Sequence, residues 1–118
     1  MALKLSPRQQ AQLAFLDAQM PKIQRIQALI EKLNSPSEAE SAGRSLVRLL
    51  DELKSGSGGL GMTGVSQTAS VMSSLARRTG GLHTRLRGLR EGLAGLKINY
   101  EGARKAASKP EGPQESES

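Results

Sequence analysis

The sequence predicts an all-α protein, an antiparallel four-helix bundle whose first helix is kinked or split. Three observations predict it. Leucine, isoleucine and methionine recur at intervals of three and four in four stretches, the period of helices that bury one face. Clusters of proline, glycine, serine and asparagine separate those stretches. Aromatic residues number only two, Phe15 and Tyr100, and no segment reads as a strand, which disfavours sandwiches and barrels. At 118 residues the chain is long enough for one domain and too short for two ordinary ones.

Ser6-Pro7 places an N-cap before a proline at the first helical position. Leu13, Leu16, Met20 and Ile23 follow at helical spacing. Pro21 lies inside this pattern and is expected to kink the segment or divide it into two helices, because it lacks the N–H of an interior helical bond. The pattern resumes as Ile26, Leu29, Ile30 and Leu33 and stops at Asn34.

Ser35-Pro36-Ser37-Glu38 is a second start signal, with Ser35 as cap and Glu38 reaching back as in a capping box. Ala42, Leu46, Leu49, Leu50 and Leu53 then predict a second helix from about Pro36 to about Ser55. Gly56, Gly58, Gly59 and Gly61 are expected to interrupt it. A third helix carries Val65, Ala69, Met72, Leu75 and Ala76 and ends near Thr79-Gly80-Gly81. The fourth is the clearest: Leu82, Leu86, Leu89, Leu93, Leu96 and Tyr100 are spaced 4, 3, 4, 3 and 4, a heptad seam. Residues 1–107 therefore read as one bundle and residues 108–118, rich in Glu, Ser, Pro and Gly, as a disordered tail. The heptad seam is assigned to packing within the bundle, so a monomer is expected.

The absence of cysteine excludes a disulfide scaffold, a thiolate metal site and a cysteine nucleophile. With His83 the only histidine, a histidine-rich metal site within the chain is excluded, and any Ser-His-Asp triad would have to use it. No metal or cofactor is expected. No run of 18 apolar residues occurs, and Met1-Ala-Leu-Lys-Leu lacks the apolar core of a secretion signal, so the expected location is the cytoplasm, with no membrane partner. The net charge is +6 and unevenly placed, with nine Lys/Arg against Glu91 and Glu101 between Arg77 and Lys109. Such a bias suits an acidic partner. Arg87, Arg90 and Lys97 share one flank of the last helix and raise the alternative of a phosphate-tracking nucleic-acid binder. That alternative lacks a helix-turn-helix signature, base-reading polar side chains and aromatic stacking platforms, and is the weaker one.

On a helical wheel at about 100° per residue, Asp51 falls opposite the leucines of the second helix. Arg44 and Arg48 share its sector, and Lys54 and Ser55 flank it. Arg48 and Lys54 each lie three residues from Asp51, within side-chain reach. The expectation is an exposed carboxylate framed by cations, beside a glycine patch that admits another surface.

The run Arg48-Leu-Leu-Asp-Glu-Leu-Lys-Ser-Gly-Ser-Gly-Gly-Leu-Gly61 resembles the signature of histidine phosphotransfer domains, His-x-Leu-Lys-Gly followed by small residues and then Leu-Gly. Leu53, Lys54, Leu60 and Gly61 fall at matching positions, and the resemblance extends over residues 10 to 100. It implies a four-helix bundle that docks on the acidic pocket of a response-regulator receiver domain, or on a histidine kinase. In the family, the lysine at the position of Lys54 helps to neutralise the phosphoryl group. Asp51 stands where the family carries its phospho-accepting histidine, and Ser55 stands for the glycine after the lysine. A carboxylate lacks the neutral nitrogen nucleophile of imidazole. The resemblance therefore implies a docking module without phosphotransfer, not an enzyme, acting as inhibitor or adaptor. The expected partner-binding residues are Arg44, Arg48, Asp51, Lys54, Ser55, Gly58 and Gly61. The charged ones set specificity, and the glycines allow close approach. An active protein using Asp51 or His83 as acceptor is the remaining alternative.

Overall fold

The computed structural model describes residues 4–78 and 80–110. Every regular element among the described residues is a helix: α1 (Pro7–Lys32), α2 (Ala39–Gly59), α3 (Thr63–Arg77) and α4 (Leu82–Ala107). The predicted leucine and isoleucine stripes form the core. Leu16, Ile26 and Ile30 of α1, Leu46, Leu50 and Leu53 of α2, Val65 and Met72 of α3, and Leu89, Leu96 and Tyr100 of α4 are all buried. Burying each large side chain contributes about 1.5–3 kcal/mol.

α1 packs on α2 and α4, and α3 packs on α2 and α4. Polar links fix which ends of α1 and α4 meet. The Gln9 side-chain amide donates to the Lys109 carbonyl at 2.6 Å, Tyr100 Oη donates to the Leu16 carbonyl at 2.6 Å, and Arg90 donates to Glu31. Gln9 thus satisfies a carbonyl just beyond the C-terminus of α4, one that has no partner within the helix.

The start of α1 is as the sequence predicts. Ser6 Oγ accepts from the Gln9 N–H at 3.0 Å, and Gln9 Oε1 accepts from the Ser6 N–H at 2.9 Å, a complete capping box. Pro21 does not divide the helix, since α1 runs unbroken from Pro7 to Lys32. The proline removes only the bond to the Asp17 carbonyl. Ile23, Ile26 and Ile30 beyond it are buried against the same core as Leu16, which holds both halves in one helix.

The second predicted start is displaced. Residues Pro36 to Glu38 form a turn, α2 begins at Ala39, and Glu38 makes no side-chain cap. The Glu38 carboxylate pairs instead with Lys32, 3.7 Å away, and the Ala39 N–H donates to the Ser35 carbonyl at 2.8 Å.

The glycine run ends α2, but later than expected. The helix continues four residues past Ser55, to Gly59. Each interior glycine costs about 1 kcal/mol relative to alanine, and tertiary packing outweighs that cost. Ser57 is fully buried, with its hydroxyl donating to the Leu53 carbonyl at 2.6 Å. A Cβ on Gly56 would overlap the Phe15 ring, whose Cζ would lie 2.7 Å away.

The helix stops at Gly61, where φ is +77°. The Met62 N–H donates to the Ser57 carbonyl at 2.9 Å, and the Gly61 N–H donates to the Gly58 carbonyl at 3.1 Å. These are the two bonds of a Schellman motif, which requires a left-handed residue at this position. The Gln12 side chain of α1 donates to the Leu60 carbonyl at 2.8 Å and ties the turn down.

α3 ends at Arg77, with Arg78 as its cap, so the part of the predicted ending at Thr79 lies outside the described residues. The Arg85 guanidinium of α4 donates to the Leu75 and Ala76 carbonyls at 3.4 and 3.5 Å, and the Leu75 carbonyl also accepts from the Arg78 N–H at 3.2 Å. The heptad seam is buried from Leu86 to Tyr100. Gly88 and Gly92 of α4 let Leu75 and Met72 of α3 approach closely, a Cβ at either position falling within 3.0 Å of those side chains. Of the predicted tail, residues 111–118 lie outside the described residues. α4 ends at Ala107.

Candidate functional site

The α2 face singled out by the sequence centres on Asp51. Asp51 is half exposed, and neither Arg48 nor Lys54 pairs with it. It turns toward α3, where Oδ1 accepts from Ser73 Oγ at 2.6 Å and Oδ2 is paired with the Arg77 guanidinium. Arg77 Nε also lies 3.4 Å from Ser73 Oγ, which closes a three-residue network. The reason is packing. α3 lies against α2, and Ser73 and Arg77, one turn apart on α3, present two donors to the carboxylate, whereas Arg48 and Lys54 extend into solvent.

Ser73 is 4% exposed, so Asp51 gives a buried hydroxyl its acceptor. Sequence reasoning placed Arg77 in the basic run of the last third and passed over Ser73. The available signal was their spacing of four on α3, which sets them side by side on one helical face.

Arg48, Lys54 and Ser55 are exposed. Neither Arg48 nor Lys54 has an ion-pair partner among the described residues. With Asp51 neutralised by Arg77, this face carries the unpaired charge of two cations.

Within the chain, the glycines make room for neighbouring side chains. Ser66 Oγ would stand 3.1 Å from a Cβ on Gly58, and Arg8 Cζ 3.1 Å from one on Gly61. With Phe15 against Gly56, three of the four glycines seat side chains of α1 and α3. Only Gly59 has open space where a side chain would be.

Arg44 is separate from this centre. It pairs with Glu40 one turn before it, at 2.9 Å, and lines an open groove of about 850 Å³ at the end of the molecule where α1 and α3 finish and α2 and α4 begin.

His83 is exposed at the start of α4 and has no hydrogen-bond partner among the described residues. Among the described residues no three metal-ligating side chains gather, and no helix is long and apolar enough to cross a membrane.

Three basic residues of α4 are committed to α1. Arg90 grips Glu31 with two bonds of 2.9 and 2.6 Å. Lys97 Nζ donates to Gln27 Oε1 at 3.0 Å, and Arg104 pairs with Asp17. The Glu31 carboxyl titrates below the ordinary carboxylate range because Arg90 hydrogen-bonds its charged form. Of the three residues predicted to track phosphates, only Arg87 stands exposed without a side-chain partner among the described residues.

No family model, no curated protein and no solved structure matches the chain.

Proposed function

We propose that the chain is a non-catalytic signalling module of the phosphorelay type. It is an antiparallel four-helix bundle with the architecture of a histidine phosphotransfer domain, and it binds a response-regulator receiver domain as an inhibitor or adaptor. A histidine kinase is the other partner of the same type. The observation that carries this reading is the state of Asp51. Both carboxylate oxygens at the degenerate acceptor position are occupied by Ser73 and Arg77. The group is therefore neutralised as a charge and withdrawn as a nucleophile, while Arg48 and Lys54 beside it stay exposed.

A carboxylate aimed at the acidic pocket of a receiver would oppose docking. Arg77 removes that opposition, and Arg48 and Lys54 supply attraction. The antiparallel arrangement is supported by the pairs Gln9 with Ala106 and Lys109, Leu16 with Tyr100, and Glu31 with Arg90, in which numbers rise along α1 as they fall along α4.

The test is calorimetric titration against a panel of purified receiver domains, with the Arg48→Glu/Lys54→Glu variant beside the wild type. One or more receivers are expected to bind, and reversing both charges should weaken binding about tenfold or more. Circular dichroism should report an unchanged fold. A parallel incubation with radiolabelled phospho-receiver should leave no label on the chain. Equal affinity of wild type and variant, or binding to no receiver, overturns the docking face. Hydroxylamine-sensitive or acid-labile label on the chain overturns the non-catalytic assignment.

A further inference from the structure

The groove where α2 begins is a second surface, which meets the Asp51 centre at Arg77. Its floor is apolar. Ala39, Gly43 and Val47 follow one another at intervals of four along α2, with Leu33 at the end of α1, Ala76 of α3 and Leu82 of α4 around them. Its rim is cationic, with Arg44, Arg77, Arg78 and Arg85 set against the single carboxylate of Glu40. Arg78 is exposed without an ion-pair partner among the described residues. Arg85 bonds only neutral carbonyls and so keeps its whole charge.

The small side chains matter here. A Cβ on Gly43 would meet only Leu33 Cδ2, at an ordinary 3.7 Å. Glycine at 43 is therefore not needed for packing within the chain, unlike Gly56 or Gly92. Together with Ala39 one turn earlier, it leaves a shallow track in which another helix backbone can lie against α2.

We propose that this groove binds an acidic amphipathic helix of a partner protein. Apolar side chains of that helix, three or four residues apart, would enter the track between Leu33, Val47 and Leu82. Its flanking carboxylates would meet Arg44, Arg78 and Arg85. The commitment to an acidic partner rests on charge complementarity: with Arg77 paired to Asp51 and Arg44 to Glu40, Arg78 and Arg85 leave the rim with two uncompensated cations, and an apolar floor with a cationic rim selects the opposite pattern.

The experiment is selection of a displayed library of random 16-residue peptides on the full chain, followed by fluorescence anisotropy with the winning peptides. Three variants are compared with the wild type: Gly43→Leu, which fills the track, Arg44→Glu/Arg78→Glu, which reverses the rim, and Arg48→Glu, which alters the other face. The selected peptides are expected to be acidic, with apolar residues at helical spacing. Binding should weaken about tenfold or more in the first two variants, remain unchanged in the third, and fall as salt is added. No enrichment, enrichment of basic or uncharged peptides, or binding that survives both groove variants overturns the proposal. A wild-type dimer in sedimentation that Gly43→Leu dissociates would also overturn it, by assigning the groove to a second copy.

Discussion

Asp51 of α2 and Arg77 of α3 form an ion pair across the helix interface, and Ser73, one turn before Arg77, holds the other carboxylate oxygen. The two bonds are unequal in consequence. The ion pair is substantially exposed, with the Arg77 side chain 58% and the Asp51 side chain 41% accessible, and contributes about 0–1 kcal/mol. The Ser73 hydroxyl is buried, and leaving it without an acceptor costs about 1–3 kcal/mol. Asp51→Ala should therefore destabilise the fold by about 1–2 kcal/mol. Asp51→Asn, which keeps an acceptor oxygen, and Arg77→Ala should each cost under about 1 kcal/mol. Urea unfolding of the three variants checks the order. Asp51→Asn as costly as Asp51→Ala would mean that the charge, not the hydroxyl, dominates.

Tyr100 reaches 84 residues back along the chain to the Leu16 carbonyl and is the only large aromatic in the core proper. Phe15 packs from its edge. Tyr100→Phe should cost about 1 kcal/mol for the lost hydrogen bond. Burial also pushes the Tyr100 hydroxyl above its ordinary value. A pKa raised on folding gives a stability contribution present in full below the unfolded value and lost as pH rises through the folded one. Melting temperatures of wild type and Tyr100→Phe, followed from neutral into alkaline pH, should converge. Parallel curves would deny the hydroxyl any part in the alkaline loss.

Glu31 and Arg90 give the opposite sign. The folded Glu31 carboxyl sits below its ordinary range because Arg90 bonds its charged form. Its contribution is complete above the unfolded carboxyl value and disappears as pH falls through the lower folded value. The melting difference between wild type and Arg90→Ala should shrink as pH is lowered through the carboxylate range. It should also shrink as salt is raised at neutral pH, because the pair is exposed. A difference constant in pH would trace it to the packing of the arginine stem rather than its charge.

The helical stripes were legible because each repeats many times. From Leu86 to Tyr100 the seam is long enough for its period to outweigh Gly88, Gly92 and Gly95 inside it. Single punctuation marks were read less well. Pro21 signalled a kink or a split, and the split does not occur: apolar residues on both sides bury into one core, and one missing hydrogen bond does not outweigh them. Ser35 and Glu38 have the spacing of a capping box, but Lys32 draws Glu38 away. At the candidate site the wheel correctly placed Asp51 off the leucine stripe. It gave no information on which neighbouring helix would lie beside it, and so Ser73 and Arg77 were missed. Partners between helices depend on which helices pack together, which a single helical wheel does not contain.

The glycine run gives the sharpest test of what these residues do, because two neighbours should respond with opposite signs. Gly56 and Gly59 both lie within α2. Replacing glycine by alanine in a helix ordinarily stabilises it by about 0.5–1 kcal/mol, through chain entropy and helix propensity. At Gly59 nothing stands within 4 Å of the added Cβ, so Gly59→Ala should show that gain. At Gly56 the Phe15 ring occupies the space. The overlap forces either the ring or α1 to move, a cost of about 1–3 kcal/mol that exceeds the propensity gain. Gly56→Ala should therefore destabilise the fold, and Phe15→Leu in the same chain should recover much of the loss by freeing the ring's place. Denaturant midpoints of the four proteins check it. If Gly56→Ala is as stabilising as Gly59→Ala, the ring does not rest on α2, and the run is free for an outside surface to approach.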